Sequence, residues 1–421
     1  MGEPFRRLRS CVPPLRLLVL FLIIYGLSAG VSLARHSLAP HFVYLAESFL
    51  QGRTDLVHVP DPPYDLTPYN GRWYVSFPPL PALLMAPLVA LRGLAVSDIA
   101  FSVVLGAADV ALFYIVLSHL DRSAGLRLRP SVKAWLAVFL GAGTPLWYCA
   151  ALGSVWYTAH VVAVACTSLY LLEVFGRNRP LLAGLWLGLG FLARGPLILA
   201  FPVALTMALA QRRDARHVLG FAVQLAGGAA PAVLGQAAYN WARFGSPLEF
   251  GYRWMNSPSL LQDRLAAWGQ FSVHFLPENL YTLLVRPPLV TLSPLQVTPD
   301  PWGMGLVFAM PVLLLALPGL RRLGRDAHRS GLWLSVGLVA LPSLLYFNTG
   351  SYQFGYRFAL DWLPMAILLL ALESVDRHAR WKVWCGALVL VSVLTHLWGL
   401  LWMYPNFNGQ AWVQQYFGWL R

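Results

Sequence analysis

Apolar residues in this chain come in long runs, not in the short alternations of a soluble sheet or the narrow stripes of a soluble helix. Runs long enough to span a bilayer cover 15–34, 99–120, 134–152, 155–175, 218–239, 302–320, 332–347, 358–372 and 383–403. A helix of about twenty residues crosses the roughly 30 Å of hydrocarbon, where every backbone polar group has to be satisfied internally. A further apolar stretch, 181–210, is long enough for two helices and is interrupted at Arg194-Gly195-Pro196, where proline removes a helix donor. The pattern predicts an all-α polytopic membrane protein, one domain over 1–421, with about eleven transmembrane helices. The segment 78–94 is apolar too, but it is short and carries Pro78, Pro79, Pro81 and Pro87, so it reads as a juxtamembrane or re-entrant element.

Composition agrees: 57% of residues are hydrophobic and 12% charged, about half the charged share of a soluble domain. The net charge of +13 would suggest nucleic acid in a soluble protein. Here the basic residues fall in short clusters between apolar runs, as in cytoplasmic loops, and nucleic acid is set aside. Cys11, Cys149, Cys166 and Cys385 form no CxxC and have no histidine at finger spacing, so no disulfide framework or metal motif is readable. Arg6, Arg7 and Arg9 ahead of the first run have the layout of a signal sequence; the run is long enough to stay as an uncleaved anchor.

Charge also sets the topology. If 78–94 does not cross, the clusters Arg6, Arg7, Arg9 and Arg16, then Arg122, Arg127, Arg129 and Lys133, then Arg177 and Arg179 fall on one side. The same side takes Arg212, Arg213 and Arg216, then Arg321, Arg322, Arg325 and Arg329, then Arg377, Arg380 and Lys382, about twenty of the 31 basic residues. That predicts the N-terminus inside and the C-terminus outside. The outer polar segments are then 35–98, 240–301, 348–357 and the tail from Tyr404. Two are far longer than an ordinary connection, which marks them as functional. No internal repeat is visible, against the paired halves of many transporters.

The first outer loop opens with His41-Phe42-Val43-Tyr44-Leu45-Ala46-Glu47, where Val43, Ala46, Phe49 and Leu50 recur at helical spacing, and continues through Asp55, Asp61 and Asp65 to Asn70-Gly71-Arg72-Trp73-Tyr74 and Phe77-Pro78-Pro79. With the Gly184 to Arg194 stretch, Tyr239-Asn240, Arg243-Phe244-Gly245-Ser246-Pro247 and Phe354-Gly355-Tyr356-Arg357, the sequence resembles the GT-C superfamily of glycosyltransferases. These are the lipid-phosphate-sugar-dependent enzymes that include protein O-mannosyltransferases and aminoarabinose transferases. The resemblance implies an inverting transfer of a monosaccharide from a polyprenyl-phosphate carrier to a hydroxyl on a lipid, polysaccharide or protein. It places that chemistry at the outer face, in a bacterial cytoplasmic membrane, and implies no cofactor beyond the divalent ion some members use.

Such a transfer needs an acid in the first outer loop to take the acceptor's proton. The family carries it at the start of the loop helix, where this chain has Leu38, Ala39 and Pro40. The base therefore moves to Asp65, with Glu47 second and His41 as a base or an orienting group, each set against the ordinary fate of a solvated loop charge. The departing phosphate calls for arginine forks, for which Arg194 and Arg357 come first and Arg243, Arg253 and Arg72 follow. Arg357 has an alternative partner in Asp361, four residues on. Trp73 and Tyr74 are candidate sugar-stacking rings and Tyr356 lies in the Arg357 motif, whereas the other aromatics, Trp156 and Tyr252 among them, fit an interfacial belt. Asp109 and His160 sit inside spans, where polar groups face the bundle interior. A transporter or lipid flippase and a non-catalytic assembly partner are the rival functions.

Overall fold

A computed structural model describes residues 3–211, 214–350, 352–375 and 379–408. Arg212, Arg213 and Arg377 and the tail aromatics Trp412, Tyr416 and Trp419 lie outside them. The chain is built of helices α1 (Glu3–Ala29), α2 (His41–Leu50), α3 (Leu80–Arg92), α4 (Asp98–Ser123), α5 (Pro130–Ala142), α6 (Leu146–Leu152), α7 (Val155–Phe175) and α8 (Pro180–Ala193). After a 3-10 turn at Gly195–Ala200 come α9 (Pro202–Ala210), α10 (Ala215–Phe244), α11 (Ser259–Trp268), α12 (Leu276–Leu284), α13 (Leu306–Ala309), α14 (Ala327–Leu344), α15 (Leu363–Glu373) and α16 (Ala379–Asn408). Two short antiparallel hairpins interrupt the helices, β1 (Leu66–Tyr69) with β2 (Arg72–Val75) and β3 (Leu289–Leu292) with β4 (Leu295–Thr298).

Among the described residues five helical segments are long and apolar enough to cross a membrane: Pro13–Ala34, Asp98–Ser123, Val155–Phe175, Ala215–Phe244 and Arg380–Tyr404. The pair α5 and α6, bent by 53°, adds a sixth if it is one span. The other expected spans are apolar but short or broken, and proline is the recurring reason. The 181–210 run divides at Arg194, which is extended (φ −147°, ψ 111°), ahead of Pro196. The 302–320 run becomes the one-turn α13 and a 3-10 segment, Pro311–Arg322, that contains Pro318. The 358–372 run opens as a 3-10 turn, Arg357–Asp361, and continues in α15.

Helix α8 packs on α10 through small residues. A β-carbon on Gly184 would run into the Leu225 carbonyl, and one on Gly228 into the Leu181 carbonyl. Apolar side chains gain nothing by leaving lipid, so close backbone approach of this kind is what holds membrane helices together. The expected loop helix is present as α2, which buries His41, Phe42, Val43, Leu45, Ala46 and Ser48, and the proline-rich stretch forms α3, against which α2 packs.

Two ends of the bundle can be told apart by what gathers there. At one, Lys133 pairs with Asp121 at 3.1 Å, Arg179 with Glu173 at 2.7 Å and Arg329 with Glu373 at 2.8 Å. His328 joins them, bonded to Ser123 at 3.1 Å and stacked on Phe175. These are ends of α4, α5, α7, α14 and α15 that the charge pattern placed together. At the other end the first loop, the start of α7, the break after α8, the 240–301 loop and the 348–357 loop converge on one cavity.

Candidate functional site

The cavity, about 220 Å³, is walled largely by aromatic and apolar side chains, among them Trp156, Tyr157, Phe250, Tyr252, Tyr346 and Phe358. Its charged lining is Asp65, Arg194 and Arg357, with Gln270, Ser343 and Asn348 adding polar atoms. An apolar pocket with a few convergent polar groups is the usual form of a small-molecule site.

Asp65 is held in place from several directions. Its backbone is in the left-handed region (φ 52°), which a non-glycine residue rarely adopts. Its N–H donates to the Asn256 carbonyl at 2.9 Å, and the Asn256 N–H returns to Leu66 at 2.8 Å, so the first loop is stitched to the second. The Trp156 indole N–H donates to the carboxylate at 2.7 Å. Burial pushes the Asp65 carboxyl up to about 6, against the lowering pull of Trp156 and Arg357. A base titrating there is mostly ionised at neutral pH and still basic enough to take a proton as it develops on an attacking hydroxyl.

Arg194 crosses from the break after α8 to Asp361, donating from Nη2 at 2.9 Å and from Nε at 3.1 and 3.2 Å. One edge of the guanidinium is thereby fixed and Nη1 is left for another acceptor. Oδ1 of the same carboxylate also meets His160 Nδ1 at 3.1 Å. Asp361 is thus the partner of Arg194 and His160; the alternative Arg357–Asp361 pair does not form, because the 3-10 turn from Arg357 to Asp361 replaces the α-helical spacing that pair needs. Arg357 instead donates to the carbonyls of Gly350 and Tyr352. Both guanidiniums lie over the Phe358 ring, Arg194 at 5.1 Å and Arg357 at 5.2 Å, so the two cations share one ring.

The other sequence candidates lie outside the cavity lining. His41 is buried, and Nε2–H donates to the Tyr64 carbonyl at 2.6 Å, one residue before Asp65. Desolvation lowers its imidazole to about 4, so the ring is neutral and orients the Asp65 segment. Glu47 pairs with His58 at 2.6 Å on the surface side of α2. Arg72 and Arg53 flank Asp55 at 3.6 and 2.5 Å, and hold its carboxyl below the usual range. Arg243 is buried, donating to Val75 at 2.6 Å and Asn240 at 2.7 Å over the Tyr239 ring, which makes it a clamp between α10 and the first hairpin. Arg253 pairs with Glu249 at 3.0 Å and stacks on Trp254. Trp73 and Tyr74 sit in the hairpin, Tyr74 edge-on to Phe244, and Tyr356 is fully buried under Ser343. Asp109 is buried in α4, as its position in a span required. No group of three His, Cys, Asp or Glu side chains suited to a metal occurs among the described residues.

Trp156, Tyr252, Tyr346, Gln270 and Asn348 line the cavity without having been singled out by the sequence. Tyr252 and Tyr346 line the same cavity as Arg194 and Asp65. In sequence they are indistinguishable from belt aromatics.

No family model and no curated protein matches the chain. Solved structures do. The oligosaccharyltransferase of Archaeoglobus fulgidus in its apo form superimposes with a TM-score of 0.53 and 14% identity over 92% of this chain and 56% of its own. AglB from the same organism, in complex with an inhibitory peptide and a dolichol-phosphate, gives 0.51 and 14% over 92% and 55%. The chain therefore spans a little over half the length of either neighbour, and over nearly all of its own length it has their fold.

Proposed function

We propose that the chain is an integral membrane glycosyltransferase that moves a monosaccharide from a polyprenyl-phosphate carrier to a hydroxyl acceptor on the extracytoplasmic face. The observation that carries the reading is a single cavity lined by a carboxylate set to titrate about 6 and by two arginines that share one aromatic ring. The fold likeness to oligosaccharyltransferases supports a transferase, and AglB's complex with a dolichol-phosphate supports a lipid phosphate in the basic part of the cavity. The gathering of the long loops at one end and of the described basic clusters at the other supports placing the cavity on the side opposite the basic loops.

In this mechanism the acceptor hydroxyl enters beside Asp65 and attacks the anomeric carbon from the side opposite the phosphate. As the new C–O bond forms, its proton passes to the Asp65 carboxylate and the bond from the sugar carbon to the phosphate oxygen breaks. The electron pair leaves with the phosphate, whose growing charge is taken by Arg194 and Arg357, and the configuration at carbon inverts. Arginine suits this because its fork stays charged and meets two oxygens at once. Trp156 holds the base, and the Asp361–His160 pair holds Arg194.

The test uses the purified chain in proteoliposomes with a panel of radiolabelled polyprenyl-phosphate sugars and mixed lipid and peptide acceptors. A new glycosidic bond, lost in Asp65→Asn and kept in Glu47→Gln, supports the reading. Movement of intact labelled lipid with no new bond makes the protein a transporter, and full transfer by Asp65→Asn removes the base.

A further inference from the structure

The hairpin β3–β4 is unlike the rest of the 240–301 loop. From Pro287 to Pro299 no residue is charged. The strands pair Leu289 with Thr298, Val290 with Val297, Thr291 with Gln296 and Leu292 with Leu295. Side chains alternate across a pleated pair, so one face carries Val290, Val297, Leu292 and Leu295, and the other carries Leu289, Thr298, Thr291 and Gln296. The apolar face is uncovered: relative exposure is 83% at Leu292, 75% at Leu295, 56% at Val290 and 48% at Val297. Two strands alone are marginally stable in water, and an aliphatic face of this kind needs an apolar neighbour.

The hairpin's base says which neighbour. Arg286 and Asp300 close it with an ion pair at 2.6 Å, and the Gly305 N–H donates to the Arg286 carbonyl at 2.9 Å. Directly beyond lies α13, whose Val307 and Phe308 are exposed at the start of an apolar run, and directly before it Tyr281, Leu284 and Val285 are exposed at the end of α12. Exposed apolar residues thus flank the hairpin at both ends of its base, the pattern of a surface that faces lipid. The base is also tied to the loop that carries Arg357, with Gln353 N–H on the Pro301 carbonyl at 3.0 Å and Met304 N–H on the Gly355 carbonyl at 3.1 Å.

We infer that residues 287–299 form a lipid-binding finger whose Val290, Leu292, Leu295 and Val297 face enters the boundary between headgroups and acyl chains of the leaflet on the cavity side. Its uncharged length and polar-on-one-face pattern suit that depth, and the ion pair at its base stays with the headgroups. The inference is independent of the sugar chemistry.

The experiment attaches an environment-sensitive maleimide dye to Leu292→Cys and, separately, Thr291→Cys in the full chain. The unsubstituted chain is labelled in parallel to subtract its own cysteines. Proteins are reconstituted in phosphatidylcholine–phosphatidylglycerol vesicles with and without lipid carrying a spin label near the headgroup. The Leu292 dye is expected to be blue-shifted, quenched severalfold by the spin-labelled lipid and shielded from iodide, and the Thr291 dye less so on each count. A Leu292 dye with water-like emission and open to iodide overturns the inference. So does protection that grows with the protein-to-lipid ratio and ignores the spin label, since that would assign the face to a second copy of the chain.

Discussion

Replacing the Arg194–Asp361 pair separates what it does for stability from what it does for the phosphate. Asp361 is 1% exposed and accepts three contacts from Arg194, which is 19% exposed, and one from His160. Asp361→Asn leaves a mostly buried guanidinium without its counter-charge. Breaking such a pair from one side costs about 3–5 kcal/mol, and the opening of Arg194 to the cavity puts this case near the lower end. A loss of about 3 kcal/mol corresponds to a fall of roughly 3 °C in the thermal midpoint for a chain of this size. Arg194→Met with Asp361→Leu removes both charges at similar volume, and stability should return to within about 2 kcal/mol of the natural protein, the remainder being His160 left without its acceptor. Transfer should not return, because a fixed cation at developing charge is worth about 10²–10³-fold in rate. The assay is tryptophan-detected melting in detergent beside turnover of a lipid-phosphate sugar. A double variant that melts as low as Asp361→Asn refutes the electrostatic account of the pair, and one that transfers at the natural rate refutes the role of Arg194.

Further predictions concern Asp65, the helix contact and Arg243. With Asp65 raised to about 6, the transfer rate should fall about tenfold per pH unit below that value, in a kcat/KM profile taken with the natural protein. Because the folded-state value lies above the unfolded one, the protonated carboxyl favours the fold. That stability is present below the unfolded value and is lost as pH rises through about 6, so Asp65→Asn should melt higher than the natural protein near neutral pH, with the gain vanishing in acid. Gly228→Leu should separate α8 from α10 and abolish folded protein on size exclusion, since even a β-carbon meets the Leu181 carbonyl. Arg243→Met should lower the thermal midpoint with little change in the KM for lipid donor, because the side chain is spent on Val75 and Asn240; a large KM effect at unchanged stability would return Arg243 to the phosphate site.

Much of this architecture was legible because the signals are strong and local. Apolar run length marks helices directly, Pro196 after Arg194 marks the break, and periodicity in 43–50 marks α2. Arg194 and Arg357 stood out because a charge at a membrane edge is costly, and Asp65 because it precedes the turn at Asn70; the structure brings all three to the lining of one cavity. What stayed hidden depends on distance in space. Asp361 reads as the i+4 partner of Arg357 until the 3-10 turn carries it to Arg194, 167 residues away in sequence. Trp156 and Tyr252 carry the same aromatic signal whether they face lipid or sugar, and only the cavity separates the cases. Trp73 and Tyr74 are close to Asp65 in sequence, yet the hairpin turns them into the packing against α2 and Phe244.

The central claim is that the wall formed by Arg194 and Arg357 holds a lipid phosphate, and a photoreactive polyprenyl phosphate tests it directly. With a diazirine beside the phosphate, the purified chain in nanodiscs should crosslink at cavity-lining residues around 156, 194–196, 250–258 and 342–358, and Arg357→Gln should reduce that yield severalfold. Crosslinks spread along the lipid-facing helices, unchanged by Arg357→Gln, would contradict it.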